Sequence, residues 1–246
     1  MSVVKNILGR IFALWALLVF VISMLIFWIP IWLVGFWPEP KRSIHFFKIV
    51  HVWMAMFFIF SGVRRKIRGR HHFKKNQTYI VTCNHNSFMD VPLSSADVPA
   101  PHKTIAKIEM MKIPIFGTVY KRGSVLVNRK NEESRRASFA KMKATLAMGM
   151  HMCIYPEGTR NKTNEPLQKF HDGAFKLAIE TGTSIIPAII FNTRKVLPTH
   201  KTFFFWPQPV ELHFLPEVPV HQKTVAQLKE EVFGAMKDFI LQHQKS

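Results

Sequence analysis

The chain has 246 residues, of which 48% are apolar and 20% charged, and 22 are phenylalanine. This composition excludes intrinsic disorder and fits one sizeable domain with a short addition. Lys and Arg number 34 against 15 Asp and Glu, a formal charge of +19, which calls for an anionic partner: nucleic acid, a bilayer surface or an acidic protein.

Ile11 to Trp37 is a stretch of 27 residues without a charge. As a helix it would be about 40 Å long, enough to cross a hydrocarbon core of about 30 Å with tilt. Pro30 should kink it, and the Trp residues near its C-terminal end suit an interfacial belt. The run is too long for a signal peptide, and no small-residue cleavage pattern follows it. In the second apolar stretch, Ile44 to Phe60, Lys41, His45, Lys48 and His51 recur at helical spacing. They form one polar stripe on an otherwise apolar helix, expected to lie in the headgroup plane. A core helix of the following domain is the other reading. Between Glu39 and Asp90 the chain has ten Lys or Arg and no acidic residue, and Val63 to Lys75 reads VRRKIRGRHHFKK. Next to an apolar segment, such a run suits an anionic membrane surface, and the positive-inside rule puts the following domain on the cytoplasmic face. A helix pair dipping into one leaflet gives the same placement as a spanning helix. The expected organisation is a membrane-associated two-helix segment, 1–62, followed by the main domain, 63–246.

Beyond residue 76, short apolar runs alternate with helical stretches. Tyr79 to Cys83, Lys103 to Ala106, Ser124 to Val127, Met152 to Tyr155, Ile185 to Phe191 and Val210 to Phe214 read as strands. Glu132 to Met150, Asp172 to Glu180 and Thr224 to His243 read as helices, the second ended by Gly182 and the third capped by Thr224. The fold class is therefore α/β: a mostly parallel sheet flanked by helices, preceded by the hydrophobic two-helix membrane motif. Cys83 and Cys153 lie inside two of these strands, with neither CxxC spacing nor a histidine cluster at zinc-finger spacing. Buried thiols suit that pattern better than a disulfide framework or structural zinc.

Ligands of such sheets collect where strands end and helices begin, and two polar motifs follow strands. Asn84-His85-Asn86-Ser87-Phe88-Met89-Asp90 follows the first strand, and Tyr155-Pro156-Glu157-Gly158-Thr159-Arg160 follows the fourth. A carboxylate five residues after a histidine, across a turn into a helix, can fix the ring tautomer and make His85 a general base. Asp90 would also suit a helix start with no chemistry attached. A metal at His85 is disfavoured by the basic run around His71 and His72, and none is expected. The chain has no GxSxG elbow to supply a protein nucleophile, so the proton is assigned to a substrate hydroxyl and acyl transfer would be direct. Gly158, Thr159 and Arg160 can hold an anion through close backbone approach, a hydroxyl and a guanidinium fork, although a tight turn with a surface arginine has the same sequence. Arg129 and, more weakly, Lys107 are further phosphate candidates at strand ends.

Taken together, these motifs resemble those of the 1-acyl-sn-glycerol-3-phosphate (lysophosphatidic acid) acyltransferase family. Asn84, His85, Ser87 and Asp90 match N-H-x-S-x-x-D, which contains the HxxxxD core. Gly123 to Arg129 resembles the second motif, Pro156 to Arg160 matches P-E-G-T-R, and Ile186-Pro187-Ala188 resembles the fourth. Lys107-Ile108-Glu109 with Pro114 and Gly117 resembles the stretch between the first two. The likeness covers roughly residues 76–192. Leu126 and Ala188 stand where the family often has Phe and Val, apolar exchanges that bear on acyl-chain or acceptor choice. The resemblance implies that His85 deprotonates the sn-2 hydroxyl of lysophosphatidic acid and Asp90 orients it. Arg129, Thr159 and Arg160 would hold the phosphate and Glu157 would shape the loop, with Gly158 a backbone donor to the thioester oxyanion. The acyl group would come from acyl carrier protein or coenzyme A, a co-substrate, with no cofactor. A membrane lipid would be the acceptor, and acyl carrier protein a partner drawn by the positive charge.

Acylation of another lysolipid, such as a lyso-aminolipid, is the nearest alternative, and a non-enzymatic membrane-associated binding protein is the alternative from another class. Nucleic acid is not expected as a partner: no basic run is interleaved with aromatics, and no nucleic-acid motif is present.

Overall fold

The computed structural model describes residues 3–99, 101–128 and 130–243. Seven strands form one sheet: β1 (Arg65–Arg68), β2 (Ile80–Cys83), β3 (His102–Lys107), β4 (Ser124–Val127), β5 (His151–Ile154), β6 (Ile185–Phe191) and β7 (Val210–Phe214). The order is β1-β7-β6-β2-β5-β3-β4. All pairings are parallel except β6 with β7, so β1 and β7 run against the other five strands. The mostly parallel α/β sheet expected from the alternating pattern is present.

The helices are α1 (Val3–Leu33), α2 (Lys41–Phe60), α3 (Asp90–Asp97), α4 (Phe116–Gly123), α5 (Glu132–Ala147), α6 (Gly173–Thr181), α7 (Thr193–Val196) and α8 (Val225–His243). Successive strand residues point to opposite faces. Thus Val81, Cys83, Ile186 and Ala188 join one core with α1, α2 and α3, while Ile80, Ile185 and Ile189 join the other with α5, α6 and α8. Asn131 caps α5 by accepting from the Ser134 N–H at 2.7 Å. Gly182, at φ +64°, lets the chain leave α6 in the left-handed region. Cys83 and Cys153 are buried free thiols with their sulfurs 3.8 Å apart.

α1 continues through Pro30 to Leu33 and then as a 3₁₀ turn to Phe36. Much of its surface, from Val3 to Trp37, is exposed and apolar. Val3–Phe36 and Lys41–Phe60 are both long and apolar enough to cross a membrane by length and composition. α2 differs from the headgroup helix expected of its polar stripe. Phe46, Phe47, Val50, Trp53, Met54, Phe57 and Phe58 are all buried, so α2 is a core helix packed between α1 and α3. The aromatic side chains of this helix, at helical spacing, put large apolar area out of water inside the protein. Trp53 donates from Nε1 to Ser23 Oγ at 3.0 Å, fastening α2 to α1.

Part of the basic run is structural. Four of its residues form β1 on the sheet edge, where Lys66 pairs with Glu211 at 3.5 Å. Arg65 and Arg70 both bind the Asp97 carboxylate, at 2.7 and 2.8 Å, and Lys74 pairs with Glu217. The turn between α1 and α2 is latched by Glu39, whose carboxylate accepts from Lys103 at 2.7 Å and from Arg42 at 3.1 Å. Burial raises the pKa of this carboxyl, but the Lys103 and Arg42 contacts and the Ser43 N–H outweigh it and hold it at about 2.

Two histidines are buried neutral. His102 packs on Phe47 with ring centroids 4.0 Å apart, and burial, helped by the neighbouring His151, pushes its pKa down to about 3. His151 accepts the Tyr79 N–H on Nδ1 at 3.0 Å, which requires the neutral ring, and burial lowers its pKa to about 4. Between those values and the unfolded value near 6.5, the unfolded chain binds more protons than the folded one, so stability falls as pH falls through that window. Melting of the detergent-solubilised protein should show a lower midpoint at pH 5 than at pH 7. An unchanged midpoint would contradict the neutral, buried state of both rings.

Candidate active site

β2 and β5 are neighbours at the centre of the sheet, and the loops leaving their C-terminal ends carry the two polar motifs. Asn84 bridges the first loop to β6: its Nδ2 donates to the Ile190 carbonyl at 3.0 Å and its Oδ1 accepts the Ile190 N–H at 2.7 Å. His85 follows at once. Its Nδ1 lies 2.8 Å from Asp90 Oδ2. The same oxygen accepts the N–H groups of Asn86 at 2.6 Å and Ser87 at 2.8 Å. Asp90 is fully buried and is the first residue of α3, where the helix N-terminus favours a carboxylate. A carboxylate so held accepts the Nδ1 proton and leaves Nε2 as the basic nitrogen. Ser87 supports the loop from the far side, donating from Oγ to the Leu197 carbonyl at 2.8 Å.

The second motif is laced to the first. Glu157 is 2% exposed, and its Oε1 accepts the His85 N–H at 2.7 Å while Oε2 accepts the Gln168 N–H at 2.9 Å. Burial raises its pKa above the usual carboxylate range, against the downward pull of those two donors. Asn161 returns the contact, donating its N–H to the His85 carbonyl at 2.6 Å. Replacing Glu157 by Ala leaves two N–H groups without acceptors in a closed site. We expect a loss of about 1–3 kcal/mol of stability, read by urea unfolding. A variant as stable as the parent would show that the lacing contributes nothing.

Gly158 turns the chain at φ +70°, and its N–H donates to the Tyr155 carbonyl at 3.0 Å. That donor is therefore engaged within the turn. Thr159 is exposed. The Arg160 guanidinium lies over the Phe88 ring, 3.6 Å from its centroid, which brings the cation of the second motif onto the first. Lys107 is exposed at the end of β3, and Arg129 lies outside the described residues. Tyr155 was not legible as a site residue. Its ring lies beside His85 with centroids 4.5 Å apart, and its hydroxyl pairs with Ser94 Oγ at 2.8 Å. Burial holds that phenol protonated, well above its usual pKa.

Phe88 and Met89 also line an apolar cavity of about 520 Å³, walled by Ala13 and Phe20 of α1 and by Phe46 and Trp53 of α2. A volume of this size suits one elongated apolar ligand. Phe88 thus joins the cation to the oily cavity, both next to the loop that carries the histidine–carboxylate pair.

Comparison with known proteins agrees with this geometry. The chain is 30% identical over 145 residues to a 1-acyl-sn-glycerol-3-phosphate acyltransferase from Borreliella burgdorferi, covering 58% of this chain and 55% of that protein. It is 28% identical over 185 residues to the human 1-acyl-sn-glycerol-3-phosphate acyltransferase alpha, covering 74% and 65%. The chain thus spans between about half and two thirds of these relatives. The fold is similar to the crystal structure of the 1-acyl-sn-glycerophosphate acyltransferase PlsC from Thermotoga maritima, with a TM-score of 0.84, 21% identity and 98% of each chain covered. A sequence profile of the Acyltransferase family matches residues 64–191, just over half of the chain. The protein belongs to the acyltransferase family.

Proposed function

We propose that the protein transfers a fatty acyl group from a thioester, on acyl carrier protein or coenzyme A, to the sn-2 hydroxyl of lysophosphatidic acid, giving phosphatidic acid. The observation that carries this reading is the buried Asp90 carboxylate 2.8 Å from His85 Nδ1. His85 Nε2 takes the hydroxyl proton as the oxygen attacks the thioester carbonyl. The new C–O bond forms, the C–S bond breaks, and the proton passes to the leaving thiolate. Arg160, with Arg129 and Thr159, holds the acceptor phosphate, Lys107 adds positive charge, and Glu157 keeps the two loops in register. The names of the curated relatives support the acceptor. The test is thioester-dependent acylation of lysophosphatidic acid by the purified protein. Formation of phosphatidic acid is the expected result. Transfer to another lysolipid alone would keep the chemistry and remove the acceptor, and no transfer at all would remove both.

We further propose that the N-terminal segment, 1–62, holds the catalytic domain, 63–246, on the cytoplasmic face, with α1 lying in one leaflet and α2 packed beneath it. Two contacts support this. The Phe205 N–H donates to the Gly9 carbonyl at 3.0 Å, and Arg122 donates to the Trp32 carbonyl at 2.9 Å. The two points on α1 are 23 residues apart, about 35 Å along a helix, and both touch the same domain. A helix held so lies alongside the domain, with its outer apolar face left for lipid. Tags at the two termini should be digested from the same side of sealed vesicles. Protection of the N-terminal tag alone would mean that α1 crosses.

A further inference from the structure

A second cavity, of about 860 Å³, borders the histidine loop. Asn84 and Asn86, the neighbours of His85, form part of its wall, and Lys5, Arg194, Lys195 and Lys201 form another part. Among the described residues lining it, Glu165 is the only acidic one. Phe204 borders both this cavity and the apolar one, so the chain near it is a partition between them. The basic side chains are held to the wall. Lys5 lies over the Trp206 ring at 4.9 Å from the centroid, and Lys201 lies over Phe204 at 4.5 Å. Arg194 donates to the Thr163 carbonyl at 2.9 Å. Neither Arg194 nor Lys195 has a carboxylate partner among the described residues.

The proposed reaction brings two anions to His85. One is the acceptor phosphate. Arg160 lies over Phe88, which lines the apolar cavity, so an acceptor with its chain in that cavity would bring its headgroup phosphate near Arg160. The other is the phosphate of the thioester donor, because coenzyme A and acyl carrier protein both present the thioester on a phosphopantetheine arm. That arm is polar and amide-rich, unlike a fatty chain, and it needs a polar channel ending beside the base with positive charge along it. We infer that the second cavity is the donor site, and that Lys5, Arg194, Lys195 and Lys201 receive the phosphate of the phosphopantetheine arm. The inference rests on the proposed acyl transfer, since it assumes a thioester donor.

Lys5 and Lys195 are exposed, so reversing their charge leaves both cores intact. The test measures binding of coenzyme A, of 4′-phosphopantetheine and of lysophosphatidic acid to the full chain in detergent, for the parent and for the Lys5→Glu, Lys195→Glu double variant. The expected result is a Kd for coenzyme A and phosphopantetheine raised about tenfold or more, with lysophosphatidic acid unaffected. The parent's affinity for both should also fall with added salt. A Lys195→Arg variant should bind as the parent does. Unchanged coenzyme A and phosphopantetheine affinity, or weakening confined to lysophosphatidic acid, overturns the assignment. Titration of holo-acyl carrier protein in the same assay distinguishes the two sources of the arm. A protein that binds coenzyme A through these lysines but acylates no lysolipid would sink the proposed acceptor and not this site. One that acylates lysophosphatidic acid with donor affinity indifferent to the reversals would sink this site alone.

Discussion

His85→Ala is expected to lower the rate of phosphatidic acid formation by about 10²–10⁴-fold, the range that a positioned general base contributes. The variant should fold. The His85 side chain is 18% exposed and, among the described residues, its ring nitrogens hydrogen-bond Asp90 alone, while the contacts that lace the two loops use the His85 backbone N–H and carbonyl, which alanine keeps. The loss should therefore fall on kcat, with KM for acceptor and donor near the parent values, because the ring is asked for proton transfer and not for binding. The measurement is initial-rate kinetics with protein matched by melting temperature. Near-full activity would show that another group takes the hydroxyl proton, and a rise in KM with unchanged kcat would make His85 a binding residue.

How far the sequence led depended on how local each feature was. β2, β4, β6 and β7 were legible because their apolar runs are short and bounded by polar turns. β1 was not. Arg65-Lys66-Ile67-Arg68 has one apolar residue in four, and it becomes a strand only because β7 offers a free edge and Asp97 accepts two arginines. Those partners lie about 30 and 145 residues away in sequence, so a basic run that reads as a membrane patch is half structural. α2 misled for a related reason. Its polar stripe is real, but whether its apolar surface meets lipid or a sheet is decided by what the rest of the chain builds. At the site, His85 and Asp90 were legible because five residues separate them and the bond is local. The partnerships that close the site, Glu157 with the His85 N–H, Tyr155 beside the ring and Ser87 with Leu197, join residues 70 to 110 positions apart. Only the sheet order brings them together. The two cavities were not legible at all, since each is the space left between elements from both halves of the chain.

Asp90→Asn should be as damaging as loss of the base itself, about 10²–10⁴-fold in kcat, and it separates orientation from mere proximity. In the parent, one carboxylate oxygen accepts three hydrogens, from His85 Nδ1 and from the Asn86 and Ser87 N–H groups. An asparagine placing its carbonyl oxygen there can still accept the two backbone donors, so the loop should survive, but it is a neutral and weaker acceptor for the ring. An asparagine placing its amide there would offer hydrogens to the two N–H donors and, at the ring, favour a bare Nδ1. The proton would then sit on Nε2, where the hydroxyl proton has to go, and the base would be blocked with its geometry nearly intact. Because Asp90 is fully buried at the start of α3, Asp90→Ala cannot serve as the same probe, since it strands both backbone donors as well. The informative comparison is therefore Asp90→Asn against His85→Ala and against the double variant. If the two residues act as one unit, the double variant should be no slower than His85→Ala alone. Additive losses would mean that Asp90 serves the reaction by some route other than the His85 ring.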